Sequence, residues 1–270
     1  MESVKGVAIN ELLLWAAASA ERGNLSDSEE HWALVQELHS RGGREVFERS
    51  LSWCGSEHPL LRCLGADVIG QLGCHESHPF AAESEPALNS LLHDSDARVV
   101  QSALVALGHL HTGEIEPICR LASHASPRIR HAVAFCLGGR GEALALETLI
   151  ALSADADAEV RSWATFDLGA QIHADTPAIR SALAARLADP DADVRGEAMV
   201  GLARRGDERA VPAILAELER DGVSQFAIEA AGKLPRAQYL PHLESLLAGN
   251  PESSAIRLAV EMCRSQGSAA

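Results

Sequence analysis

The sequence predicts an all-α fold, a right-handed α-α superhelix of stacked helix pairs. Three observations predict it. First, one pattern recurs from apolar anchors at Leu61, Val99, Ile129, Val160, Val194, Val223 and Ile256, spaced 38, 30, 31, 34, 29 and 33 residues apart. Regular self-similarity at such a period is the signature of helical-repeat architectures. Second, residues four, seven, eight and eleven places after each anchor fall on one side of a helix and are mostly small or apolar. Third, hydrophobic residues make up 47% of the chain but aromatics only 4%. A core of Ala, Leu and Val follows, and Ala and Leu favour helices, whereas strands favour β-branched and aromatic side chains.

Residues 1–40 depart from the pattern and are expected to cap the stack. They read as a helix Val7–Ala20, a polar turn at 22–28 and a helix Glu29–Leu38, with Glu29, Glu30 and Glu37 supplying the polar outer face that a repeat stack needs at its end. The apolar run Leu12–Ala18 inside the first helix is too short to span a bilayer, and no basic stretch introduces it as in a signal peptide. The expectation is a soluble cytoplasmic protein without a membrane partner.

Residues 41–265 hold about seven helix pairs. The copy from Leu61, "LRCLGADVIGQLG", is faint, and four clear ones span 96–110, 126–140, 157–171 and 191–205. In the Val223 copy Ser224 replaces an Arg, and the Ile256 copy is truncated. Between these second helices lie first helices at 86–92, 114–122, 143–152, 177–187, 210–218 and 237–247. Pro212 and Pro241 sit early in theirs, where a missing amide hydrogen matters least. Acidic turns such as "HDSDARVV" and "ADPDADVR" offer Asp caps. Residues 266–270 are expected to be a disordered tail.

Arg62, Arg130, Arg161, Arg195 and Arg257 each follow an anchor, close to turn acids where these exist. They read as a structural ladder of Asp–Arg contacts rather than a phosphate-binding row. The chain carries 38 acidic and 23 basic residues, a net charge of -15, and its only lysines are Lys5 and Lys233. Nucleic acid is therefore not an expected partner, since phosphate binding needs a basic face. The charge favours basic partners instead.

Six cysteines, at 54, 63, 74, 119, 136 and 263, form no C-x-x-C pair and read as buried free thiols of a reducing cytosol. His58, Cys63, Cys74, His75 and His78 cluster without a recognised ligand spacing, so no metal is expected. The sequence has no Gly-rich phosphate loop, nucleophile elbow or metalloprotease helix. The chain reads as a non-enzyme with no cofactor.

The D-x-x-V-R-x-x-A…A-L-G pattern, plainest at Asp96, Asp157 and Asp191–Asp193, resembles the short HEAT repeats of phycobilin lyase subunits. The resemblance covers roughly residues 40–265 and implies the solenoid fold. It implies less about function, since such repeats serve scaffolding, cofactor attachment and DNA repair. The stretches 41–47, 159–169, 193–218 and 227–234 also resemble, in matching order, a bacterial HEAT-protein type associated with Rhs toxin loci. That resemblance implies an immunity-type protein, which neutralises a basic toxin domain by occluding it. The alternatives are a HEAT-like nucleic-acid repair enzyme of the DNA glycosylase kind, or a bilin lyase subunit.

In HEAT solenoids the second helix of each pair lines the concave face. Six residues after each anchor stand Asp67, Val105, Phe135, Phe166, Val200, Glu229 and Met262. Val105, Phe135, Phe166, Val200 and Glu229 of this row, with Trp163 flanking Phe166, are the candidate partner-binding residues. Either the row is an exposed apolar stripe of the kind that marks an interaction site, or it is partly core. Asp167 stands seven after Val160, where other copies carry Val68, Ala106, Cys136, Gly201, Ala230 and Cys263. A buried carboxylate is costly unless paired or hydrogen-bonded. Asp167 therefore reads either as an internally bonded carboxyl or as a functional acid beside Trp163.

Overall fold

A computed structural model describes residues 8–21, 29–72 and 78–267. Among the described residues the regular structure is entirely helical, and no helix is long and apolar enough to cross a membrane. Chain contacts divide the protein into two compact units, residues 1–137 and 138–270.

In the first unit α1 (Ile9–Glu21) and α2 (Glu29–Arg41) precede three helix pairs. These are α3 (Gly43–Cys54) with α4 (Pro59–Gln71), α5 (Ala81–Leu91) with α6 (Ala97–Leu110), and α7 (Ile115–Arg120) with α8 (Pro127–Leu137). The second helices lie side by side in serial order, α2 on α4, α4 on α6 and α6 on α8. The second unit repeats the arrangement with α9 (Ala143–Leu152) and α10 (Ala158–Phe166), α11 (Pro177–Arg186) and α12 (Ala192–Arg204), α13 (Val211–Leu218) and α14 (Gln225–Lys233), and α15 (Leu240–Gly249) and α16 (Ser254–Gly267). Here α10, α12, α14 and α16 stack in order. Both units have the all-α HEAT-repeat solenoid architecture that the periodicity predicts.

The anchors explain the stacking. Val99, Ala103, Ala106 and Leu107 are buried on α6, as are Val194, Ala198, Gly201 and Leu202 on α12. No pair covers such a stripe alone, so successive pairs must shield one another. Glycine nine places after an anchor sets how closely they approach. A Cβ at Gly70 would lie 2.7 Å from the Cα of Ala106, and one at Gly169 would lie 3.1 Å from the Cα of Gly201. Both contacts are with backbone, so a larger side chain would have to push whole helices apart.

The turns use the expected caps. Asp96, Asp157 and Asp191 are N-caps, each accepting hydrogen bonds from amides of the following turn. Two elements differ from expectation. Helix α5 starts at Ala81, five residues before Pro86, which lies inside it. Phe80 fixes this earlier start by stacking on Phe47 with centroids 4.5 Å apart, and Arg44 lies against both rings. Helix α10 gives way after Phe166 to a π-helical turn, Asp167–Gln171, closed by the Ile172 amide on the Asp167 carbonyl at 2.9 Å.

The end helices are less polar than anticipated. Glu37 pairs with Arg41 and Glu29 is exposed, but Leu14, Trp15 and Trp32 are exposed as well. Helix α1 has apolar residues all round, so its burial of Leu12, Leu13 and Ala16 leaves others facing outward. The start of the first predicted helix, the turn at 22–28, and residues 268–270 of the predicted tail lie outside the described residues.

Candidate functional site

The arginine after each anchor does the same local job in every copy that carries it. Its guanidinium turns back onto carbonyls five or six residues upstream: Ser56 and Glu57 for Arg62, His124 and Ala125 for Arg130, Asp155 and Ala156 for Arg161, Asp189 and Pro190 for Arg195, and Pro251 for Arg257. Arg62 also forms a two-pronged bond with Asp94 at 2.6 and 2.8 Å, and Arg161 one with Asp189 at 2.9 Å in both arms. Each such pair ties a second helix to the turn of the next repeat. Guanidiniums committed in this way are hinges of the turn rather than phosphate ligands.

In the first unit, Val105 and Phe135 are half-buried. Phe135 lies over Gly108, where a Cβ would come within 2.7 Å of its ring, and meets His109 edge-on at 5.0 Å. Asp67 is held by His31 at 2.7 Å. Cys74 and His75 lie outside the described residues, and no group of metal-binding composition occurs among the described ones.

The second unit brings together more of the predicted residues. On α10, Trp163 and Phe166 are half-buried with ring centroids 6.0 Å apart. Val200, on α12, is only 3% exposed and belongs to the core. The small residues around it let the helices close over this position, so it offers a partner no surface. Glu229 on α14 is exposed and bonds to Arg204 at 2.8 Å.

Two residues of this face are absent from the sequence-based set. Three places after the anchors, α10, α12 and α14 carry Trp163, Glu197 and Phe226, an acid between two aromatics along the stacking direction. Phe226 lies on α12 because Gly196 leaves room; a Cβ there would be 2.2 Å from the ring. The signal was legible as glycine next to an acid on one helix and Phe on the next, but only if the row three places after the anchor is read beside the row at six.

Asp167 lies at the join between α10 and its π-helical turn, 2% exposed, and its Oδ2 has no hydrogen-bond partner. The internal hydrogen bond offered as one explanation is thus missing at this oxygen. Burial, reinforced by the charge of Glu197, pushes the carboxyl's pKa up to about 8. Glu197 is half-buried and, through burial and then the charge of Glu229, is pushed up to about 7, with Arg204 opposing. Near neutral pH both acids therefore hold protons readily.

The site is stiffly built. Arg205 donates to the carbonyls of Leu168, Gly169 and Ile172 at 2.6, 3.0 and 3.0 Å, and to Ala174 and Gly201. It satisfies acceptors that a π-helical turn leaves outside the ordinary helical ladder. Gly169 against Gly201 completes the clamp. Structure of this irregular kind, held by a dedicated side chain, clusters at functional positions.

Residues 85–169 and 179–263 match the family of HEAT repeats, and the chain belongs to that family. Within it, the chain is 28% identical to protein YibA of Escherichia coli strain K12 over 234 residues, covering 83% of this chain and 82% of YibA. The same figures hold for YibA of E. coli O157:H7. An X-ray structure of E. coli YibA superposes with a TM-score of 0.73 at 24% identity, covering 96% of this chain and 93% of that one. An engineered protein superposes at 0.60 with 16% identity, covering 97% and 76%. These two likenesses are of fold. The protein is a HEAT-repeat helical scaffold similar to YibA.

Proposed function

We propose that this scaffold binds another protein through the second-helix face of its second unit, the surface carrying Trp163, Phe166, Glu197, Phe226 and Glu229. The observation that carries the reading is the pairing of half-exposed aromatic rings with acids on three successive helices. Aromatic side chains supply large contact area at low entropic cost and dominate binding hot spots. A net charge of -15 favours encounter with a basic partner.

The finer form of the reading is an immunity-type protein that covers the basic active site of a toxin domain. Its support is the resemblance of residues 41–47, 159–169, 193–218 and 227–234 to a HEAT-protein type found at Rhs toxin loci. A cytoplasmic setting is supported by the buried thiols of Cys54 and Cys63, pushed up to about 12 chiefly by burial and therefore inert packing groups. Base excision at Asp167 is the rival use of the same residues, but a carboxyl 2% exposed gives an extruded base little approach.

Trp163→Ala combined with Phe166→Ala is expected to weaken the partner captured by the wild-type chain about 100-fold, while the far-ultraviolet circular dichroism stays that of a helical protein. Unchanged affinity in a folded double variant would remove this face from the binding role.

A further inference from the structure

We propose that the binding face of the second unit continues onto α16 and takes an extended, polyproline-II segment of the partner. Apolar residues at the ends of that segment sit over Trp163 and against Leu258 and Met262, and basic residues between them meet Glu197 and Glu229. The inference rests on the binding role above and names the class of ligand. It starts from α16, the last second helix of the stack. Five and eight places after their anchors, α12 and α14 bury Met199 and Leu202, and Ile228 and Ala231. In α16 the same positions hold Glu261 and Arg264, both exposed, with Arg264 bonded to Glu244 at 2.7 Å. Positions that stacking buries elsewhere have turned charged, as the open end of a solenoid requires. Two places after the anchor the change runs the other way. Earlier copies carry Gln101, His131, Ser162 and Gln225 there, whereas α16 carries Leu258, 58% exposed, with Met262 four places on and 40% exposed. This pair is not left over from stacking, and exposed apolar surface of that kind marks a contact with another molecule.

The pair lies in line with the face already described. Phe226 of α14 lies over Gly196 of α12, Arg204 of α12 reaches Glu229 of α14, and Cys263 of α16 donates to the Ala231 carbonyl of α14 at 3.8 Å. Helix by helix the face reads apolar on α10, acidic on α12, acidic and aromatic on α14, and apolar on α16. Glu229 is exposed, and its carboxylate has room for a second donor beside Arg204. A second copy would set a charge of -15 against -15, so charge favours a basic occupant over self-association. Spacing then selects the backbone. Packed helices lie about 8–10 Å apart. Side chains return to one face about every 5.4 Å along an α-helix and about every 6.7 Å along a strand. In polyproline II they return every third residue, about 9 Å, which matches the step from helix to helix. Such segments also dock on aromatic surfaces at low entropic cost. The segment therefore reads apolar-x-x-basic-x-x-basic-x-x-apolar, the same pattern in either chain direction.

The test is calorimetric titration of the full-length chain with acetyl-Leu-Pro-Pro-Arg-Pro-Pro-Arg-Pro-Pro-Leu-amide. A second peptide of the same composition groups its residues as Leu-Leu-Arg-Arg followed by six prolines. The titration is run near pH 8, where Glu197, titrating at about 7, is largely ionised. Saturable binding of the spaced peptide is expected, about tenfold tighter than that of the grouped one and about tenfold tighter than to Leu258→Ser combined with Met262→Ser. Glu229→Gln should weaken it about threefold. Leu144→Ser, at a 42% exposed position on α9, should leave it unchanged. No saturable binding, equal binding of the two peptides, or wild-type affinity in both the α16 double variant and Glu229→Gln would overturn the proposal. So would a concentration-dependent dimer of the wild-type chain that the α16 double variant loses, since the pair would then belong to a second copy. The two readings fail separately. A captured partner lost with Trp163 and Phe166 but held by the α16 double variant removes the segment and leaves the scaffold role. Peptide binding lost in the α16 double variant, with a captured partner indifferent to both double variants, removes the role and leaves the segment site.

Discussion

Asp167→Asn is expected to make the protein more stable at alkaline pH, by roughly 3 kcal/mol at pH 9. The sign follows from linkage. Asp167 titrates at about 8 in the folded chain against 3.8 for the free side chain, so the folded state binds the extra proton between those values. Its contribution to stability is complete below the lower value and is lost as pH rises through the upper one. Above it, a carboxylate must sit buried with its Oδ2 unpaired. Asparagine carries no charge and nearly the same shape, so its thermal midpoint should match wild type below pH 4 and exceed it by roughly 5–10 °C near pH 9. Glu197 titrates in the same direction, raised to about 7, and will keep some pH dependence in the variant. Midpoints that stay parallel from pH 5 to 9 would show that Asp167 is satisfied in solution and pays no cost for an unpaired buried charge.

Arg161→Ala should cost about 3–5 kcal/mol of stability. Its guanidinium is buried, makes both arms of a bond with Asp189 and also holds the carbonyls of Asp155 and Ala156. Asp189 is itself 5% exposed. Burial pushes its pKa up, yet the Arg161 bond and the Asp191 amide outweigh this and hold it below the usual range. Removing the arginine leaves that charge with the Asp191 amide and, among the described residues, Arg186 at 3.4 Å. Truncating both partners should recover part of the loss, because the stranded carboxylate goes too. Urea unfolding of the single and double variants measures this. A double variant no better than Arg161→Ala would place the cost in the two carbonyls instead.

Much of this architecture was legible from the residues. Anchor spacing located the second helices because the 3.6-residue period repeats identically at each anchor, and Asp96, Asp157 and Asp191 announced the caps through side-chain chemistry that acts over two or three residues. What escaped depends on tertiary contact. Pro86 resembles a helix start, but the Phe80–Phe47 stack draws the helix back to Ala81. The π-helical turn at Asp167 follows the same template letters as its neighbours and becomes irregular where Gly169 meets Gly201 and Arg205 captures the freed carbonyls. Val200 shares a register position with Phe166 and Glu229, yet burial differs between them because local side-chain size decides how far adjacent helices close. Glu197 and Phe226 came into the site by cross-helix neighbourhood, which a single-helix reading of one row does not reveal.

Carboxyl footprinting of the chain, free and in complex with its captured protein partner, tests the binding face most directly. Glu197 and Glu229 should lose their labelling in the complex while Glu147 on α9 and Glu217 on α13 keep theirs. Protection of the α9 and α13 acids with Glu197 and Glu229 still fully labelled would contradict the account.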